Sequence, residues 1–120
     1  MKKMIQQISV TVFALMVLVA PAAHAVPPQA MDNQNCYSNA VDAALRELKH
    51  EGTRLPSIPE YSEGYAFNQQ GKVIDNAIRV KLSDAFGGPG NAVVDVYFNI
   101  DDVRCPATDT DVLSNTFGSN

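Results

Sequence analysis

Apolar residues recur along this chain in three rhythms, and each rhythm predicts a different kind of segment. Residues 8–20 (ISVTVFALMVLVA) form a nearly unbroken apolar run. From Cys36 the spacing becomes helical: Tyr37, Val41, Ala44 and Leu48 fall at i, i+4, i+7 and i+11, and Ala40 and Leu45 widen the stripe. Asn39, Asp42, Arg46 and Lys49 take the other side. Asp42 and Arg46 stand four apart, an arrangement worth roughly a few tenths of a kcal/mol on a helix surface. Asn33 or Asn35 can cap the start, and Gly52 followed by Pro56 suits the stop.

After a proline-punctuated connector at 53–59 the period falls to two. Tyr61, Tyr65 and Phe67 alternate with smaller or polar residues and predict a strand, with Gly64 marking a bulge. Ile78, Val80 and Leu82 alternate strictly with Arg79, Lys81 and Ser83 in a second strand. In a third, Val94, Val96, Phe98 and Ile100 line one face, while Val93, Asp95, Tyr97 and Asn99 line the other. The turn cluster Phe86-Gly87-Gly88-Pro89-Gly90-Asn91 joins the last two as an antiparallel hairpin. The expected architecture is α+β: one N-terminal amphipathic helix packed on a roughly three-stranded antiparallel sheet. The sheet face bearing Arg79, Lys81, Asp95, Tyr97 and Asn99 is left to water or to a partner.

The first apolar run reads as part of an export leader. Lys2 and Lys3 precede it, and Ala23-His24-Ala25 offers small residues for cleavage. It is too short to span a bilayer comfortably, which takes roughly 20 residues, so no stable membrane anchor is expected after cleavage. The expected division is a cleaved signal peptide at 1–25, a flexible lead-in at 26–34 and a single globular domain at 35–105. A polar C-terminal tail follows at 106–120, with a short turn of helix near 111–114. The expected location is the periplasm or the exterior.

Charge narrows the partner. Loss of Lys2 and Lys3 with the leader takes the formal charge from −4 to −6. An acidic surface argues against nucleic acid and anionic membranes; it fits a soluble protein, or one that presents carboxylates to a basic partner. The two cysteines, Cys36 and Cys105, lie 69 positions apart. In an oxidising compartment they read as one disulfide enclosing most of the domain.

Little chemistry stands out beside them. With the thiols paired, no free cysteine serves as nucleophile, and His50 is the one histidine beyond the leader, near a predicted helix end where it suits the helix dipole. Glu60 with Glu63 and Asp101 with Asp102 fit turn and solvent roles better than a glycosidase pair. Asp101, Asp102, Asp109 and Asp111 lack the spacing of a calcium loop, and two thiols without a histidine make no zinc site. The glycine-rich turn lacks the lysine and the following helix of a phosphate loop. The expectation is a non-enzyme with no cofactor and no bound metal. Its candidate partner contacts are Tyr97, Phe86, Tyr61, Tyr65, Asp101 and Asp102, since aromatic residues are enriched at protein interfaces.

Cys36-Tyr37 leading a helix, strands at 77–82 and 92–100, and Cys105 closing the loop together resemble the layout of small exported proteins related to YebF and the periplasmic immunity proteins against colicin M. That resemblance implies a protein–protein role in the periplasm and brings no individual site residue with it. The reading that follows is a small exported binding module acting through protein contact, as an inhibitor or immunity protein does. The alternatives are an accessory component of an envelope secretion or conjugation system, and a small-ligand or hydrolytic role in the helix–sheet crevice.

Overall fold

The computed structural model describes residues 30–120. The expected leader, with the first part of the lead-in, lies outside the described residues. The rest of the lead-in is ordered: Ala30–Asp32 form a 3-10 turn, Ala30 is buried, and the Tyr37 hydroxyl donates to the Met31 sulfur at 3.8 Å.

Helix α1 spans Gln34–His50. Of the two capping candidates Asn33 takes the role: its backbone is extended and its side-chain Oδ1 accepts the Asn35 N–H at 2.8 Å. The helix stops where Gly52 takes a φ of 82° that a Cβ would disfavour. Cys36, Ala40, Val41, Ala43, Ala44 and Leu48 form its buried stripe; Ala40, Val41, Ala44 and Leu48 are those the spacing predicts, Cys36 and Ala43 join them, and Tyr37 and Leu45 stay half-buried at its margin.

Four antiparallel strands follow, β1 (Pro59–Phe67), β2 (Val73–Asp84), β3 (Asn91–Phe98) and β4 (Ala107–Asn115), in the simple meander order β1-β2-β3-β4. The expected three strands are therefore four. β4 comes from the segment read as a polar tail, and the helical turn expected near 111–114 is strand instead. An edge strand needs only part of one face apolar: Val112 pairs opposite Val94 and packs on the core, while Asp109 and Asp111 point the other way opposite Tyr97 and Asp95. The bulge expected at Gly64 also moves. Gly64 pairs in register with Arg79, and the irregularity falls between Tyr65 and Phe67.

Register fixes the core. Ile78 pairs with Val96, Val80 with Val94 and Leu82 with Ala92, and these residues are buried under α1. The helix lies against β2, β3 and β4 rather than β1. At one end of the sheet Cys36 and Cys105 are joined with their Cα atoms 5.1 Å apart, both fully buried. Three asparagines of the helix start reinforce this junction. Asn39 donates to the carbonyls of Arg104 and Cys105 at 2.9 and 2.7 Å, and Asn35 to Val103 at 2.9 Å. A weaker bond runs from Asn33 to Val103 at 3.4 Å. These bonds hold Cys105 in the left-handed region, φ 50°. At the other end the chain terminus returns to the helix: Arg54 N donates to Gly118 O at 3.0 Å and Asn120 N to Gly52 O at 2.8 Å.

Candidate binding surface

The face of the sheet turned away from α1 carries a charged pair at its centre. Arg79 and Asp95 stand directly opposite each other on β2 and β3. Arg79 donates from Nε and Nη2 to the two carboxylate oxygens at 2.7 and 3.0 Å. Such two-point pairing is geometrically specific and stronger than a single bond. The Asp95 side chain is only 3% exposed and that of Arg79 22%, so the pair closes the middle of a face expected to be wet. Its hydrogen bond to Asp95 raises the Arg79 pKa above the ordinary guanidinium value. Beside it, burial pushes the Tyr97 phenol up, and the Asp95 and Asp111 carboxylates push it the same way by disfavouring a phenolate.

The six expected contact residues do not form one patch. Tyr97 is half-buried on the open face. Phe86 projects from the β2–β3 turn, 77% exposed, at one end of the sheet. Asp101 and Asp102 lie beyond β3 at the opposite end. There Asp102 binds Arg104 at 2.8 Å, and the Arg104 guanidinium draws its pKa down. Tyr61 and Tyr65 belong to β1 and are 49% and 47% exposed.

β1 is where apolar surface gathers. Of the eight large hydrophobic side chains left exposed among the described residues, Ile58, Tyr61, Tyr65, Phe67 and Val73 lie on β1, just before it, or opposite its end. Tyr65 and Phe67 meet edge to face with ring centroids 6.4 Å apart. Because α1 sits over the other three strands, the helix-side face of β1 is open. A groove there is lined by Tyr37, Val41, Asp42, Tyr61 and Glu63. Single exposed hydrophobics are ordinary, but a cluster along one element marks an interaction surface.

A second groove separates α1 from β4 and is lined by Arg46, Glu47, His50, Asp109 and Thr110. The Thr110 hydroxyl donates to Glu47 at 3.0 Å across its floor. Among the described residues no cluster of three or more His, Cys, Asp or Glu is placed to hold a metal ion, and no helix is long and apolar enough to cross a membrane.

Sequence reasoning found the aromatic residues of β1 but missed Ile58, Val73, Asp42 and Glu63 as their neighbours. Alternation placed Tyr61 and Tyr65 on one face. It carried no sign that the helix would leave that face uncovered. The Arg79–Asp95 pair was more accessible, since opposite charges occupy matching positions in two alternating strands. No protein-family model matches this chain, and neither the curated proteins nor the solved structures compared with it contain a match.

Proposed function

We propose that this chain is a small exported binding module that acts by protein–protein contact, of the inhibitor or immunity kind. The observation that carries the reading is the gathering of exposed aromatic and aliphatic side chains along β1, the strand left uncovered by the helix. A rigid scaffold presenting such an edge loses little conformational freedom on binding, which favours affinity. The buried disulfide is compatible with an oxidising, extracytoplasmic location. Within this class, the inhibitor or immunity role draws on the layout resemblance to the YebF and colicin M immunity proteins. The overall acidity supports a basic partner, steered by charge and held by aromatic contacts.

Affinity capture from periplasmic extract tests the reading. The oxidised protein is expected to retain a stoichiometric partner at low ionic strength and release it as salt rises, and Tyr61→Ser with Tyr65→Ser is expected to lose it. Absence of any stoichiometric partner contradicts the reading.

One observation favours a second reading. His50, Glu47 and Asp109 share the α1–β4 groove, an arrangement suited to a small polar ligand or to acid–base chemistry. Activity or ligand binding that survives His50→Ala unchanged dismisses it.

A further inference from the structure

The sheet has two free edges, and the fold treats them differently. β4 is interrupted by irregular register at both ends, between Val93 and Val94 and between Tyr97 and Phe98 of its partner strand. Such bulges blunt an edge against further pairing. β1 runs in unbroken register from Pro59 to Tyr65. The Ala85 N–H bonds the Ile58 carbonyl at 3.1 Å, which sets the alternation: Glu60, Ser62 and Gly64 turn their backbone groups toward β2. The N–H and C=O groups of Tyr61, Glu63 and Tyr65 therefore face outward. An edge of this kind, regular and flanked by apolar side chains, is a template for another strand.

The two faces of that edge differ in charge. On the helix side, Asp42 and Glu63 lie beside Tyr37 and Tyr61, with no lysine or arginine lining the groove. On the open side, Arg79 and Lys81 flank Ser62 and Gly64, and a Cβ placed at Gly64 would meet nothing within 4 Å.

We infer that the partner docks by adding an extended strand to β1, with cationic side chains at alternate positions entering the Asp42–Glu63 groove and uncharged ones lying over Gly64. This rests on the binding-module reading and specifies its mode. A second copy of the chain is disfavoured as occupant, because it would bring its own Glu63 to the helix-side face that already carries Asp42 and Glu63, and like charges across a strand pair oppose association.

The probe is a short end-blocked peptide of alternating lysine and valine, with an alternating glutamate–valine peptide as control, added to the oxidised protein and followed by amide hydrogen exchange. The lysine peptide slows exchange at Tyr61, Glu63 and Tyr65 and leaves Ser62 and Gly64, already bonded to β2, unchanged. The glutamate peptide does neither. Glu63→Gln weakens binding about twofold to fivefold, the range of one exposed charge pair. Glu63→Pro, at an edge position whose N–H is free of the sheet, keeps the fold while weakening binding about tenfold beyond Glu63→Ala, which retains the N–H. Asp42→Lys with Glu63→Lys reverses the peptide preference. Protection at Thr110 and Val112 instead, equal binding of both peptides, or no slowing at about millimolar lysine peptide, an affinity worth only about 4 kcal/mol, overturns the inference. So does slowing of the same amides with rising protein concentration alone, which makes a second copy the occupant. A natural partner captured equally well by Glu63→Pro sinks this docking mode and leaves the binding-module reading standing.

Discussion

Arg79 and Asp95 face each other across β2 and β3 and share two hydrogen bonds, 2.7 and 3.0 Å long, with the carboxylate almost wholly withdrawn from water. A charge held this way depends on its partner more than the fold depends on the pair. Arg79→Ala is expected to destabilise the protein by about 2–3 kcal/mol, below the range for fully buried pairs because the guanidinium keeps some solvent. Replacing both, Arg79→Met with Asp95→Leu, is expected to recover most of that loss. Urea unfolding of Arg79→Met, Asp95→Leu and their combination measures the coupling, and an Arg79→Ala cost under about 0.5 kcal/mol would place the pair among ordinary surface contacts.

The Tyr97 phenol is pushed up from its ordinary value by burial and then by Asp95 and Asp111. The unfolded chain releases this proton near the ordinary value of about 10 while the folded chain still holds it. Its contribution to stability is therefore complete below about pH 10 and is lost as pH rises through the higher folded value. Titration of phenolate absorbance in wild type and Tyr97→Phe checks this. The variant is expected to lack a component that titrates above the ordinary phenol value, and identical curves would refute the assignment.

Gly90 has a φ of 97°, and a Cβ there would come within 2.9 Å of the Thr116 carbonyl and 3.1 Å of Phe117. Gly90→Ala is expected to cost about 1–3 kcal/mol through backbone strain and this collision. Gly64→Ala, in open space with no positive φ, is expected to have little effect. Thermal melting of the two variants compares them directly, and equal melting temperatures would contradict the placement of the C-terminal segment against the β2–β3 turn.

Cys36 and Cys105 close a loop of 69 residues. On the chain-entropy argument the bond is worth about 4 kcal/mol. Urea denaturation with and without reductant should show a loss of that order, and reduction without effect would mean that the Asn39 and Asn35 bonds hold the junction unaided.

The helix was legible because its apolar spacing is helical, with Ala40, Val41, Ala44 and Leu48 buried as that spacing predicts, and β2 and β3 because strict alternation marks a sheet with one covered face. β4 was not, because Asp109, Asp111 and Ser114 make an outer edge strand resemble a solvated tail. Only the alternation of Thr108, Thr110 and Val112 with the acidic residues hinted at strand. Burial of Asp95 was hidden for a related reason: alternation assigns a face but not what closes over it. The exposed β1 face depends on where α1 crosses the sheet, a tertiary fact that no local pattern encodes.

Native mass spectrometry of untagged protein released gently from cells at low ionic strength tests the account most directly. The expected species is an oxidised chain beginning at Val26 in one-to-one complex with a second, basic protein. A chain observed alone, beginning at Met1 and carrying two free thiols, would contradict it.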